Sequence, residues 1–375
     1  MVEARPREGS TTPPRGRSFR WLWLIVAGLA VLAVLTTFFG PVAVPPLLVL
    51  QIFGNQLSGG HLFGYLTQTS TACTSFGLPD PCSTYVTIIW QIRLPAVVLA
   101  IGVGAALGLS GATLQGVFRN PLADPYLLGI SSGGTLGAVI AYLLLFGGSP
   151  LSTIVPSNFL LPLFAFVGSV GTGLLILAIA RSRAGSVETL LLAGVALSSL
   201  LSAIVALLTL YNRQTDLQVE YWLLGSVANA EFPQVLIVFS VLAVASLFLL
   251  VHGRELNLLQ LGDEVAQSAG VDPRTVRLRL ILLASVTTAI AVAFAGIIGF
   301  IGLIAPHVVR RLVSVDYRVV LAGSLAVGAA LLLVAWDVDL FFSELPIGIF
   351  TAFAGVPFFL YILFRQGRRT TMGGA

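Results

Sequence analysis

Leu94-Pro-Ala-Val-Val-Leu-Ala-Ile-Gly-Val-Gly-Ala-Ala-Leu-Gly-Leu-Ser-Gly-Ala-Thr-Leu-Gln-Gly116 contains no charged side chain and places glycine at 102, 104, 108, 111 and 116. A helix that crosses a bilayer needs about 20 mostly apolar residues. Small residues at such spacing let helix backbones approach each other in lipid. The stretch reads as a membrane span packed inside a helical bundle. Its glycines are a packing signal and point to no particular chemistry.

Runs of this kind recur along all 375 residues. The chain is 57% hydrophobic and 10% charged, where a soluble domain carries roughly 25% charge. The predicted spans are 21–40, 87–116, 127–146, 159–180, 189–210, 235–251, 278–295, 300–313, 319–335 and 346–364. The fold class is an all-α integral membrane protein with about ten transmembrane helices. The spans form one transmembrane domain over 21–364. A basic tail at 1–20 precedes it and a second tail at 365–375 comes after it.

Arginine fixes the expected orientation, because cytoplasmic loops retain basic residues. With ten spans and the N-terminus inside, 18 of the 20 basic residues fall on the inner side, leaving only Arg93 and Arg213 outside. A wrong span count would scramble that separation. Both termini are therefore expected in the cytoplasm, in a cell membrane. The chain has two cysteines, Cys73 and Cys82, both in the outer loop 51–86. A Cys73–Cys82 bridge is expected there, where disulfides persist, stabilising the loop by roughly 2.5–3 kcal/mol on chain-entropy grounds. Two free thiols are the alternative.

The basic residues are all arginine, a bias that a GC-rich genome would also produce. The phosphate-binding loop of ATPases requires a lysine, so an ATP-driven version of this protein would depend on another chain. Ser131-Ser132-Gly133-Gly134 resembles such a loop only superficially. No catalytic constellation is visible. His61, His252 and His307 lie apart, with no ligand spacing for a metal. The scattered arginines form no stripe of the kind nucleic acid requires.

Three segments are polar or irregular. Arg119-Asn-Pro-Leu-Ala-Asp-Pro125 holds two prolines that fix a turn, with Asn120 and Asp124 placed to cap the helix on its C-terminal side. The longest inner segment is 252–279. Gly262 and Gly270 divide it into short helices, with Asp263 placed to cap the second. Anionic lipid would repel Asp263 and Glu264, which favours a protein partner. The stretch 211–232 carries Tyr221-Trp222, readable equally as an interface anchor or as a short helix beside an outer vestibule.

These segments, in this order, resemble the permease family of ABC importers for iron-siderophores, haem and vitamin B12, over about 93–364. Other matching strings are Arg93-Leu-Pro, Gly104 to Gln115, Leu128-Gly-Ile-Ser-Ser-Gly133, Leu190 to Gly194, Trp222-Leu-Leu-Gly-Ser226, Gly299-Phe-Ile-Gly-Leu-Ile-Ala-Pro-His307, Glu344-Leu-Pro-Ile-Gly348 and Gly355-Val-Pro-Phe-Phe359. The resemblance implies a permease subunit, not an enzyme, moving such a chelate into the cytoplasm. It implies a homodimer or pseudo-dimer, two ABC ATPase subunits carrying ATP and magnesium, and an extracytoplasmic substrate-binding protein. No cofactor is expected on this chain.

By the same comparison, 254–275 is the ATPase-coupling element, with Leu261, Gly262, Asp263, Glu264, Ala266 and Gly270 as its residues. Asn120, Leu122, Val187 and Glu188 fall at the cytoplasmic gate. Arg93 falls where the family meets its binding protein. The family's Arg-Leu-Pro-Arg ends here in Ala96, and a second outer arginine before Glu344 is absent. Docking is therefore expected to use other contacts, with the cysteine loop as one candidate. An ion-coupled secondary transporter is the alternative reading. Such proteins carry ionisable residues near the midplane, and Asp337 is the deepest candidate here.

Overall fold

A computed structural model describes residues 15–59, 82–146, 155–181, 187–212, 216–342 and 346–372, and every regular element among them is helical. α1 (Arg15–Phe38) and α2 (Pro46–Leu57) open the chain. α3 (Cys82–Phe118) is one continuous rod with a π-helical stretch at Thr87–Arg93. After a 3-10 turn at Pro125–Leu128 come α4 (Ile130–Phe146), α5 (Ser157–Arg181), α6 (Val187–Tyr211) and the short α7 (Asp216–Leu223). α8 (Phe232–Val251) leads into two short helices, α9 (Gly253–Gln260) and α10 (Asp263–Ser268). α11 (Pro273–Ala295), α12 (Ile301–Leu312), α13 (Tyr317–Phe342) and α14 (Ile347–Met372) complete the bundle.

A helix falls on each of the ten expected apolar runs. Among the described residues, eight helices are long and apolar enough to cross a membrane: α1, α3, α5, α6, α8, α11, α13 and α14. The other two runs form shorter helices. α4 has 17 residues and α12 has 12. At 1.5 Å per residue α12 extends only about 18 Å, short of a hydrocarbon core about 30 Å thick.

α3 is the hub, with α13, α11, α12, α8 and α1 packed around it. Its glycines explain why. A β-carbon on Gly104 would lie 2.4 Å from the Gly328 carbonyl oxygen, and one on Gly108 would lie 2.1 Å from that of Ser324. One on Gly111 would lie 2.0 Å from that of Gly302. Only hydrogen fits at these crossings, so α3 meets α13 and the start of α12 backbone to backbone. The apolar window of α3 is 78% buried, against 11% for those of α1 and α6. The last two therefore turn their apolar faces outward.

The chain breaks between α11 and α12, where Gly296 (φ 70°) and Phe300 (φ 66°) leave the helical region. Exposed backbone at membrane depth must find partners within the protein. Tyr126 supplies two: its hydroxyl donates to the Ile298 carbonyl at 2.7 Å and accepts from the Ile298 N–H at 3.0 Å. Ser226 N–H adds a bond to the Ala295 carbonyl at 2.9 Å.

At the Arg93 end, α2 packs on the first turns of α3. Val44, Leu48, Val49 and Ile52 form one apolar cluster with Cys82, Tyr85 and Ile89. Cys82 is disulfide-bonded, while Cys73 lies outside the described residues, as does His61.

Candidate coupling face

At its opposite end α3 stops in a left-handed turn. Arg119 (φ 50°, ψ 31°) sends its N–H back to Gly116, and the Asn120 N–H reaches the Gln115 carbonyl at 3.2 Å. The turn 119–125 is then pinned by its own side chains. Asn120 Oδ1 accepts from the Leu122 N–H at 2.9 Å, closing a local turn. Asp124 caps the 3-10 turn by accepting from the Tyr126 N–H at 2.9 Å. Burial pushes the Asp124 carboxyl up to about 6, partly offset by that N–H.

α9 and α10 lie beside this turn. α9 is amphipathic and buries Leu256 and Leu259. Its Gln260 donates to the Gly116 carbonyl at 2.7 Å, tying it to the last turn of α3. Asn257 donates to Asp316 at 2.7 Å and accepts from the Tyr317 N–H at 3.0 Å, tying it to the start of α13. The two glycines act as expected from the sequence. Gly262 (φ 121°) makes the corner, and Gly270 (φ 80°) ends α10 in a Schellman motif, with Gly270 N–H on Gln267 and Val271 N–H on Ala266, each at 2.9 Å.

Two local expectations are corrected. Asn120 closes a turn on the Leu122 N–H and leaves the cap to Asp124. Asp263 does not cap α10: the N-cap is Gly262 and has no side-chain cap. Two arginines compete successfully for the Asp263 carboxylate. Arg277 of α11 grips it with both terminal nitrogens, at 2.8 and 2.6 Å, and Arg119 donates to the same carboxylate. A guanidinium fork offers the carboxylate two parallel bonds and a full opposite charge, which a backbone N–H does not. Chiefly Arg277, with Arg119 adding, holds the Asp263 carboxyl below the usual carboxylate range against some desolvation.

The six residues expected to couple to an ATPase therefore divide. Leu261 and Glu264 are exposed, as are Val265 beside them and Gly270. Ala266 is fully buried, and Asp263 is turned into the protein's own arginines. A cavity of about 480 Å³ opens beside them, lined among others by Gln115, Arg119, Gln260, Leu261, Arg310 and Tyr317. Of the four expected gate residues, Asn120 and Leu122 are partly buried in the turn, and Val187 with Glu188 begins α6. Behind the turn, Gly129 packs on α6 at Gly194 and Ser198.

Arg93 is 4% exposed. Its guanidinium donates to the Val42 carbonyl and lies against Gly40. The residue joins the α1–α2 connection to α3 and presents no free charge. Trp222 of α7 packs with Ala138, Ala165 and Ala293, while Tyr221 is 71% exposed. Gly133 and Gly134 sit inside α4 against Gly168, Ser169 and Thr172 of α5, so the glycine pair serves helix packing. The His307 ring meets that of Phe358 edge to face, 5.4 Å between centroids. Among the described residues, no group of three or more His, Cys, Asp or Glu could hold a metal ion. Arg119 and Arg277 were missed by the sequence reading. They lie 144 and 14 residues from Asp263, and no local pattern links them.

A many-helix bundle with a glycine-seamed hub and eight helices able to cross a membrane is the architecture of a multi-pass membrane protein. Comparison with known proteins places it further. The FecCD transport family model matches residues 20–365, and the chain belongs to that family. The hemin transport system permease protein HmuU of Yersinia pestis is 41% identical over 283 residues, 74% of this chain and 84% of that protein. The cobalamin import system permease protein BtuC of Halobacterium salinarum is 41% identical over 309 residues, covering 82% and 80%. A solved metal-chelate type ABC transporter in an inward-facing conformation is 29% identical, with a TM-score of 0.73 over 92% of this chain and 99% of that one. The chain is thus the membrane permease subunit of an ABC importer and not an enzyme. ATP hydrolysis belongs to a separate subunit.

Proposed function

We propose that this permease carries an iron chelate, haem or a cobalamin-type corrinoid into the cytoplasm, as one of two identical subunits, with an ATPase seated on α9–α10 and a binding protein delivering cargo on the opposite face. Both termini are then cytoplasmic. The observation that carries the reading is the face made by Leu261, Glu264 and Val265. These side chains stand exposed on an element tied by Gln260 and Asn257 to two spans. The arginines in and after that element, at 254, 274, 277, 279, 310, 311 and 318, support its cytoplasmic side. The outward apolar faces of α1 and α6 support contact with lipid and with a second subunit.

Alternating access arises from this arrangement as a two-state rocking of packed helices, biased at one end by ATP and at the other by cargo. Uptake into proteoliposomes containing permease, ATPase and binding protein tests it, with labelled haem, ferric siderophores and cobalamin offered in turn. ATP-dependent uptake of one of them is expected. Uptake that persists without ATPase would instead support ion coupling. Glu264→Arg is expected to reduce cargo-stimulated ATP hydrolysis without loss of membrane insertion.

A further inference from the structure

We propose that Arg119 is a positioning residue for energy coupling: from the end of α3 it shares the Asp263 carboxylate with Arg277 of α11, so that one carboxylate on α10 drives two spans together. The inference rests on the reading that the ATPase seats on α9–α10. It adds residues and a transmission route that exposure alone does not reveal.

Three observations carry it. First, Arg119 holds a left-handed backbone (φ 50°) at the position just past a helix where glycine is the undemanding choice. A β-carbon is a cost there, so the side chain has a use that offsets it. Second, that use is visible. The guanidinium donates to Asp263 Oδ1, an atom that Arg277 Nη2 also holds at 2.6 Å, while Arg277 Nη1 takes Oδ2 at 2.8 Å. Third, the carboxylate belongs to the first residue of α10, next to the exposed Glu264 and Val265. A push on that face displaces Asp263, and both arginines move with it. The side chains are 34%, 43% and 24% exposed for Arg119, Asp263 and Arg277. Water and salt therefore reach the clasp, and it can slacken and re-form where a buried contact could not.

The test uses the assembled transporter and two measurements. A Val265→Cys crosslink to the ATPase reports docking. Cargo moved per ATP hydrolysed reports coupling. Arg119→Gly frees the end of α3 from Asp263, leaves the Arg277–Asp263 pair in place and relieves the backbone, so its thermal stability should not fall. With the crosslink intact, cargo per ATP should fall roughly two- to thirtyfold, the range in which residues outside a site modulate coupling. Arg119→Lys should restore part of it, and Asp263→Asn should give a loss that is not additive with Arg119→Gly. A crosslink with wild-type cargo per ATP in both Arg119→Gly and Asp263→Asn would overturn the clasp alone. No crosslink in the unsubstituted background would overturn the docking reading and the clasp with it.

Discussion

The glycine-rich part of α3 has an arginine at each end, Arg93 closing the π-helical stretch and Arg119 just past Phe118, and the two ends are finished differently. Arg93 is 4% exposed and donates to the Val42 carbonyl against Gly40, in the connection between α1 and α2. Arg119 keeps a third of its side-chain surface in water and gives its charge to a carboxylate that it shares with Arg277. The first end is fastened by packing around a buried cation. The second is fastened by exposed charge, whose strength is modest and depends on salt. One helix thus carries a buried attachment and a solvent-accessible one.

The hub between these ends is the most sensitive point. Gly108→Leu would push a side chain into the Ser324 carbonyl 2.1 Å from its β-carbon, and neither backbone can yield without moving a whole helix. A loss of more than about 3 kcal/mol is expected, at the upper end for overpacking. Its signature is loss of monodisperse protein in detergent. A folded Gly108→Leu variant with unchanged melting temperature would mean that α3 and α13 do not touch.

Arg93→Ala comes next. It leaves the Val42 carbonyl without its donor and opens a void beside Gly40, for a cost of about 2–3 kcal/mol. Thermal unfolding in detergent should register it at low and high salt alike, because the site is buried. A salt-dependent loss would erase the contrast between the two ends.

Asp124 gives a smaller effect, with a sign set by pH. Its folded-state carboxyl, at about 6, lies above its ordinary value. Any stability linked to protonation is therefore present at low pH and lost as pH rises through about 6. Asp124→Asn keeps an oxygen to accept from the Tyr126 N–H and removes the charge. At pH 7.5 the variant should melt higher than the parent by a few degrees, on the order of 1 kcal/mol, and the gap should shrink as pH falls through about 6 and close below the unfolded value of 3.8. A gap independent of pH would remove the carboxylate's burial as its cause.

Asp263→Asn should produce the smallest change in stability, below about 1 kcal/mol after allowing for solvent screening. The sign is opposite to that of Asp124. The folded carboxyl lies below its ordinary value, so its contribution is present above the unfolded value and fades as pH falls through the folded one. A melting curve near pH 7 should show a slight loss that 0.5 M salt abolishes. A large, salt-resistant loss would make the Arg119 end as rigid as the Arg93 end.

Much of this architecture was legible beforehand because lipid imposes a rule that can be read locally. Each apolar run must become a helix, since no water is present to satisfy its backbone. The small-residue pattern of 102–116 marked α3 as the packed helix, and Gly262 and Gly270 marked the limits of α10. Local chemistry misled at Asp263, where a cap was expected. A short side chain beside a helix start suits that role, but two arginines from elsewhere outcompete the backbone N–H groups. Arg93 misled in the same way. An arginine at the edge of a span reads as a surface handle, and nothing nearby announces that Val42 will meet it.

The sequence by itself determined the solvent and the place of the ten apolar runs that become helices. Both come from composition and short-range periodicity. Only the tertiary structure decided which charges face inward and which face out. That Tyr126 mends the break at Ile298 and that Arg119 meets Asp263 depend on groups far apart in the chain, 172 and 144 residues respectively. Such pairs are selected by the packing of the whole bundle, and no stretch of sequence carries that information alone.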